Sequence, residues 1–285
     1  SIYGKKIFGS KLVIEVRDIP LYVAIERKVL SEKSWITRLY RKIEAYLFSK
    51  SDLVLGYSNR MIELLDTAYS LPQSLILPIG SDNSLEDKEY GFLDTNNNEV
   101  KICFFGTLGT VLRLNEAFDL VLYLNKQGIN SSLDIYGDGE RKIELENLVK
   151  QKYKNIYFKG VVSKRDVIEI CSGYDFSYYP VEGGKAVSAS LGNKFFDYLS
   201  ARTPMIVFGK DSEIADIVTK YNIGFVGDSV QEIGKKLIHS KKSFINSECL
   251  NSNFDNALLR FSKAEILNEL VSNLSKLVND DENNK

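Results

Sequence analysis

The sequence predicts an α/β protein built from two doubly wound, parallel sheets. Short apolar segments alternate with segments of helical periodicity along most of the 285 residues, which is typical of parallel sheets with helices on their faces. The chain is 44% apolar and 26% charged, enough for one large or two ordinary cores. A polar stretch, 83–99, interrupts the alternation and is predicted to link two domains.

The first part of the chain, residues 1–82, contains three apolar segments bounded by polar or turn residues. The predicted strands are Lys11–Val16, which is expected to be buried, Asp52–Tyr57 and Ser74–Leu77. A long helix with aromatic residues on one side is predicted from Leu30 to Ser49, and a second helix begins at Asn59 with Ser58 as its cap. Three strands are few for a doubly wound lobe, so the first lobe is expected to be truncated.

The second part, residues 100–245, alternates more completely. Its predicted strands are Val100–Phe105, Ser132–Tyr136, Ile156–Lys159, Asp175–Tyr179, Met205–Phe208 and Gly224–Val226. Its predicted helices are Leu114–Gln127, Glu140–Lys152, Lys164–Ser172 with Ser163 as its cap, one that begins at Asn193, Asp211–Tyr221 and Gln231–His239. Ligands of parallel sheets bind at the carboxyl ends of strands, so the loops after Phe105, Tyr136, Lys159 and Pro180 are the candidate walls of a site.

The last part, residues 246–285, carries apolar residues at helical spacing between Asn256 and Val278. This pattern predicts a helix with a broad apolar face that docks on another part of the protein, followed by a frayed tail from Asp280.

Composition excludes several classes of function. The net charge is −1, so no strong field favours nucleic acid. Cys103, Cys171 and Cys249 lack metal or disulfide spacing, and the first two are predicted to be buried fillers in a cytosolic chain. The one histidine, His239, lies in a basic run, which argues against a His-based triad or zinc site. No run approaches the ~18 apolar residues of a membrane span.

The helix that begins at Asn193 carries the strongest functional signal. Phe195, Phe196 and Leu199 recur at helical spacing and form a predicted buried face. Asn193 and Asp197 share another face near the helix start. A helix N-terminus offers N–H groups that suit phosphate, and a carboxylate one turn further can accept hydrogen bonds from a sugar diol. The pattern predicts a nucleotide-sugar site; the alternative is a well-capped helix with a solvated Asp197.

Several stretches taken together resemble a known family. They are Glu15–Pro20, Ser51–Ser58, Pro78–Asp82, Phe104–Gly109, Gly137–Glu140 and Asn193–Leu199. In this order and spacing they are similar to the retaining, two-Rossmann-lobe (GT-B) glycosyltransferases of family four, and most to the bacterial branch that builds capsular and lipopolysaccharide glycans. The resemblance covers most of residues 10–245. It implies that the C-terminal segment, 246–285, returns to the first lobe.

The resemblance assigns roles in the second lobe. Asp197 matches the carboxylate that holds the nucleotide ribose, although relatives carry Glu there. Gly106, Thr107 and Leu108 are expected to bring backbone N–H groups to the donor diphosphate; otherwise they form an ordinary strand–helix turn. Asn193 opens the same helix at the donor site.

Further residues are implied less directly. Arg113 or Lys194 would neutralise the diphosphate, with a plain surface Arg as the alternative for Arg113. Val161 and Val162 fall where relatives hold the base edge through backbone groups, or else they belong to the core.

Three residues bear on catalysis. Arg17 and Asp18 are the expected catalytic residues of the first lobe, positioning the reacting sugar and acceptor; a turn salt bridge before Pro20 is the alternative. Ala189 stands where many relatives have a Glu that touches the donor sugar.

The expected function is transfer of a sugar, with retention, from a nucleotide diphosphate sugar to a hydroxyl of a glycan or lipid-linked acceptor in surface polysaccharide synthesis. The alternative is a truncated or degenerate nucleotide-sugar-binding module without independent catalysis.

No Asp-x-Asp pair is placed for a metal and no cofactor is expected, so transfer should be metal-independent. The expected location is the cytoplasm, with peripheral contact at the inner face of the membrane as a further expectation.

Overall fold

A computed structural model describes residues 2–81, 99–109, 113–181, 183–245 and 248–282. Its strands are β1 (Val13–Val16), β2 (Leu53–Gly56), β3 (Ser74–Ile76), β4 (Glu99–Phe105), β5 (Asn130–Tyr136), β6 (Ile156–Gly160), β7 (Phe176–Pro180), β8 (Met205–Phe208) and β9 (Gly224–Gly227). Its helices are α1 (Ile2–Phe8), α2 (Pro20–Glu26), α3 (Trp35–Lys50), α4 (Asn59–Tyr69), α5 (Asn115–Lys126), α6 (Lys142–Lys152), α7 (Asp166–Ser172), α8 (Lys185–Ser188), α9 (Asn193–Ser200), α10 (Glu213–Tyr221), α11 (Val230–Ile245), α12 (Glu248–Arg260) and α13 (Lys263–Glu282). The predicted linker 83–99 lies, except for Glu99, outside the described residues.

The chain forms two compact units, each with its own parallel sheet, as the alternation of strands and helices predicts. The first unit comprises residues 1–80, 183–191 and 261–285, and the second comprises 81–182 and 192–260. The described sheets have the orders β1-β2-β3 and β6-β5-β4-β7-β8-β9, and every pairing is parallel.

The first unit has a small core around its central strand. All four residues of β2 are buried, whereas β1 is a half-exposed edge strand rather than the buried strand predicted for Lys11–Val16. Phe48, Met61 and Leu65 pack against β2 from α3 and α4. Ser58 caps α4 as predicted, because its Oγ accepts a hydrogen bond from the Met61 N–H at 3.0 Å.

Residues 183–191 belong to the first unit because two polar groups bind them there. A carboxylate oxygen of Glu26 accepts a hydrogen bond from the Ala186 N–H at 2.8 Å, at the start of α8. The hydroxyl of Ser58 donates to the carbonyl of Ala189, at its end.

The second unit has the larger core, which lies between its six-stranded sheet and helices α5, α6 and α11. Phe104, Phe118 and Phe176 are among its fully buried side chains. On the other face, Cys103 and Cys171 are buried as predicted, with their Sγ atoms 3.6 Å apart. Burial raises the pKa of the Cys103 thiol, which makes it an unreactive filler.

Several predicted helices differ from the observed ones at their ends; α11, for example, runs from Val230 to Ile245 rather than from Gln231 to His239. The first begins at Trp35 rather than Leu30, since the Ser34 side chain accepts from the Thr37 N–H and fixes the start there. The helix predicted from Lys164 begins at Asp166, and the Ser163 hydroxyl donates to the Asp166 carboxylate instead of capping the backbone.

The C-terminal segment is two helices rather than one. A break at Phe261 and Ser262 separates α12 from α13. The first of these helices packs on α9 and α10 of the second unit, and the second belongs to the first unit, where Ile266 lies beside Gly80.

Candidate functional site

The loop after β4 is folded tightly against the loop after β5. The Gly106 N–H donates to the Tyr136 carbonyl at 2.9 Å, and the Leu108 N–H donates to the Asp138 carbonyl at 2.8 Å. A Cβ on Gly137 would lie 1.9 Å from the carbonyl oxygen of Gly106. Glycine at 137 is therefore a steric requirement of this loop pair.

These hydrogen bonds change the expected use of the loop. The N–H groups of Gly106 and Leu108 were expected to face a diphosphate, but both are already bonded within the protein, and the Leu108 side chain is fully buried. Within the described part of the chain, the Thr107 N–H is the member of this trio without a hydrogen-bond partner. The loop can thus offer one backbone donor without rearranging.

Helix α9 is fixed against the sheet by two tyrosines. The Tyr198 hydroxyl accepts a hydrogen bond from the Phe105 N–H at 3.0 Å, and the Tyr179 hydroxyl accepts from the Gly192 N–H at 2.9 Å. Burial raises the pKa of Tyr198 well above its usual value, so this hydroxyl stays neutral. Phe195, Phe196 and Leu199 form the buried face that their spacing predicts.

A cleft of about 560 Å³ opens at the carboxyl ends of β4 and β6, beside the start of α9. It is lined by Phe105, Gly106, Thr107, Gly109, Val162, Lys164, Val167, Asn193, Lys194 and Asp197. Most of the residues predicted for the nucleotide site thus lie in one cleft of the second unit. Its volume is in the range of small-molecule sites.

The charged side chains of the cleft are two lysines and one carboxylate. Lys194 Nζ lies 4.9 Å from the ring centroid of Phe104 and 5.8 Å from that of Tyr179, in cation–π contact with both. Lys164 forms an ion pair with Asp197. The Lys164 side chain is 69% exposed, whereas Asp197 is 16% exposed, so the carboxylate is the more firmly placed partner.

Sequence reasoning missed Lys164. The signal available was a cation just after the loop that follows β6, at one of the strand ends named as candidate walls. Lys164 pairs with a residue 33 positions later in the chain. This pairing depends on the order of the strands in the sheet, so sequence spacing alone could not reveal it.

Other predicted residues lie away from the cleft. Val161 is 72% exposed and does not line it, although its neighbour Val162 does. The Arg113 side chain pairs with Glu116 on the first turn of α5, and its backbone carbonyl accepts from the Tyr178 hydroxyl.

The predicted catalytic pair lies in the first unit, directly after β1. Arg17 Nε donates to Glu15 Oε1 at 3.1 Å, and the Tyr57 hydroxyl donates to the same oxygen at 3.0 Å. The hydrogen bond and charge of Glu15 raise the pKa of Arg17. The ion pair of Arg17 is thus with Glu15, and Asp18 is exposed.

Solved structures that share this fold are glycosyltransferases. The pneumococcal O-GlcNAc transferase GtfA, solved with UDP and GlcNAc, is 16% identical, with a TM-score of 0.59 over 84% of this chain and 48% of its own. Sucrose-phosphate synthase from Thermosynechococcus elongatus is 12% identical, with a TM-score of 0.66 over 97% of this chain and 70% of its own. A glycosyltransferase from Rickettsia africae is also 12% identical, with a TM-score of 0.64 over 97% and 79%.

These likenesses establish the fold, which is the two-sheet α/β (GT-B) arrangement of these enzymes. The chain spans about half the length of the pneumococcal protein. No protein-family model matches the sequence, and a search of curated proteins finds no significant match.

Proposed function

We propose that this chain binds a nucleotide diphosphate sugar in the cleft of the second unit and transfers the sugar, with retention, to a hydroxyl of a glycan or lipid-linked glycan. The observation that carries the proposal is the convergence of Asp197, Lys194 and the Thr107 N–H on one cleft at the strand ends. The shared fold with glycosyltransferases, one of them solved with UDP, supports it.

Each group has a role in this proposal. Asp197 accepts hydrogen bonds from the ribose diol, and Lys194 and the Thr107 N–H face the diphosphate. When the bond between the sugar and the diphosphate breaks, negative charge grows on the leaving diphosphate, and positioned donors stabilise that charge. Arg17 and Asp18 are proposed to position the sugar and acceptor. The proposed transfer needs no metal ion or cofactor.

The proposal extends to biological setting. The resemblance to bacterial capsule and lipopolysaccharide glycosyltransferases supports a role in surface polysaccharide synthesis, on the cytoplasmic side and in peripheral contact with a membrane. Within the described residues, no helix is both long and apolar enough to cross a bilayer.

One observation favours a second candidate, a nucleotide-sugar-binding module without independent catalysis. Ala189 has no carboxylate to offer a donor sugar, unlike the Glu that many relatives carry there. It is buried, and its carbonyl accepts a hydrogen bond from the Ser58 hydroxyl. The two candidates share the donor site and differ in the transfer step.

Calorimetric titration with UDP and GDP tests the donor site, and a labelled nucleotide-sugar assay tests transfer. Binding together with release of nucleotide in the presence of a glycan acceptor supports the transferase. Binding without release supports the binding module, and the lack of binding by either nucleotide contradicts both.

A further inference from the structure

Helix α3 in the first unit exposes a continuous apolar face. Its exposed large apolar residues are Trp35, Ile36, Leu39, Tyr40, Ile43, Tyr46 and Leu47. At 100° per residue these positions fall within an arc of about 140°. The opposite side of the helix, with Thr37 and Phe48, is the side that packs on the unit. Single apolar residues scattered over a surface are ordinary, but a contiguous exposed apolar face such as this one marks an interaction site.

The segment of the chain that carries this face has a positive net charge. Residues 1–50 contain eleven Lys or Arg and five Asp or Glu, a net charge of +6, whereas the whole chain carries −1. Arg38 and Lys42 flank the apolar arc on one side, and both are exposed. Two acidic residues lie nearby, but Glu32 pairs with Arg41, and Glu44 accepts from the Tyr69 hydroxyl on the packed side.

A second exposed apolar group lies at the end of the same helix. Lys5 of α1 donates to the Lys50 carbonyl at 3.0 Å and to Asp52 at 2.6 Å, which holds α1 beside the C-terminus of α3. Tyr3, Ile7 and Phe8 of α1 are all exposed. We call the exposed apolar residues of α1 and α3, with Arg38 and Lys42, the α1/α3 surface.

We propose that the α1/α3 surface docks on an anionic lipid bilayer, with α3 lying in the plane of the interface. Trp and Tyr favour the headgroup level, and amphipathic helices with basic flanks bind anionic lipid through apolar burial and charge together. The charges of Arg38 and Lys42 argue for anionic lipid over a second copy of this chain, which would bring like charges together at this surface. This inference specifies the membrane contact of the proposed function, but its test is lipid binding and is independent of sugar transfer.

The single tryptophan of the chain makes the test direct. Trp35 is 73% exposed on this surface, so its emission reports on the surface alone. Added vesicles of phosphatidylcholine with 30 mol% phosphatidylglycerol should shift the emission to shorter wavelength and sediment the protein. Phosphatidylcholine vesicles should give much weaker binding, and added salt should weaken binding to the anionic vesicles.

Two double variants test the two components of the surface. Leu39→Ser/Ile43→Ser removes apolar burial, and Arg38→Glu/Lys42→Glu reverses the charge; each should weaken binding to anionic vesicles at least tenfold. The matched controls are Ile143→Ser/Leu259→Ser and Lys126→Glu/Lys150→Glu, at exposed positions of the second unit. The controls should bind vesicles like the parent chain, and UDP affinity should be unchanged in all four variants.

Defined results would overturn the proposal. They are an unshifted Trp35 spectrum with anionic vesicles, or an equal loss of binding in the control variants. Sedimentation equilibrium provides a third such result. If the parent chain dimerises and does not bind vesicles, and Leu39→Ser/Ile43→Ser makes it monomeric, the surface belongs to a second copy of the chain. Circular dichroism melts establish that each variant is folded, so a lost signal cannot come from unfolding.

Discussion

Asp197 is held by Lys164, so any ligand that binds its carboxylate exchanges an ion pair for hydrogen bonds. The exchange is inexpensive because Lys164 is largely exposed, and ion pairs with exposed partners contribute about 0–1 kcal/mol. The ion pair with Lys164 is therefore no obstacle to ribose binding at Asp197 in the proposed site.

Replacing Asp197 should weaken nucleotide binding. Asp197→Ala removes the proposed hydrogen bonds to the ribose, and hydrogen bonds to a charged group contribute about 1.5–3 kcal/mol, or roughly ten- to 150-fold in affinity. Titration calorimetry with UDP and GDP measures the change, with Asp228→Ala as a control remote from the cleft lining. Unchanged affinity in a folded Asp197→Ala protein would remove this residue from the site.

Glu232 predicts a stability change with pH. Hydrogen bonds from Lys210, the Asp228 N–H and Lys236 lower its pKa to about 2 in the folded state. Because the folded pKa lies below the unfolded value of about 4.3, the stabilisation is present above that unfolded value and is lost as the pH falls toward 2. Glu232→Gln should thus lower the melting temperature at pH 7, and the difference from the parent should shrink below pH 4.5.

Differential scanning fluorimetry between pH 7 and pH 3 measures this effect. Glu63→Gln, at an exposed position of α4, provides the matched charge change. A difference between Glu232→Gln and the parent that stays constant over this range would contradict the assignment.

The elements of the second unit follow from local sequence more closely than those of the first. Its six strands were predicted to within about two residues, because apolar runs bounded by turn residues specify buried strands well. In the first unit, α1, α2 and α8 were not predicted. Two of these helices depend on distant partners, Asp52 for α1 and Glu26 for α8, which no local pattern reveals.

The site shows the same division. That Asn193, Lys194 and Asp197 lie together could be predicted, since the start of one helix carries all three, and they line one cleft. The hydrogen bonds that occupy the Gly106 and Leu108 N–H groups could not, because they join two loops 30 residues apart.

The interlocked loops after β4 and β5 should respond sharply to a methyl group. Gly137→Ala would place its Cβ 1.9 Å from the Gly106 carbonyl oxygen. The loops must then separate, and we expect the free energy of unfolding to fall by about 2–4 kcal/mol and nucleotide affinity to fall with it.

Gly128→Ala is the matched control. Gly128 has a positive φ of 81°, but nothing lies within 4 Å of an added Cβ, so this change costs only the backbone strain of about 1–2 kcal/mol. Urea unfolding of both variants separates the clash from the strain. Equal losses would show that the loop contact is not the cause.

At the scale of the whole molecule, the first unit presents a three-stranded sheet whose edge strand β1 is half-exposed. Exposed sheet edges are normally covered. Acceptor and donor must be held in near-attack geometry, and a displacement of about 1 Å can cost roughly a hundredfold in rate. We therefore expect this chain to bind nucleotide and to transfer sugar at a low rate.

A coupled assay that follows nucleotide release from UDP- and GDP-sugars, with and without glycan acceptors, measures this. Nucleotide affinity in the same preparation is the control that the donor site is intact. Robust turnover with an acceptor would refute the expectation, since it would show that the half-exposed edge strand does not limit transfer.

The path of the chain between the two units has a consequence for its synthesis. The chain leaves the first unit at residue 80, returns for 183–191, and returns again after residue 260. Synthesis from the N-terminus therefore finishes the second unit before α13, the last described element of the first, leaves the ribosome. The six-stranded unit can therefore fold before the last helix of the three-stranded unit has been made, and the cleft of the second unit should form before the first unit is complete.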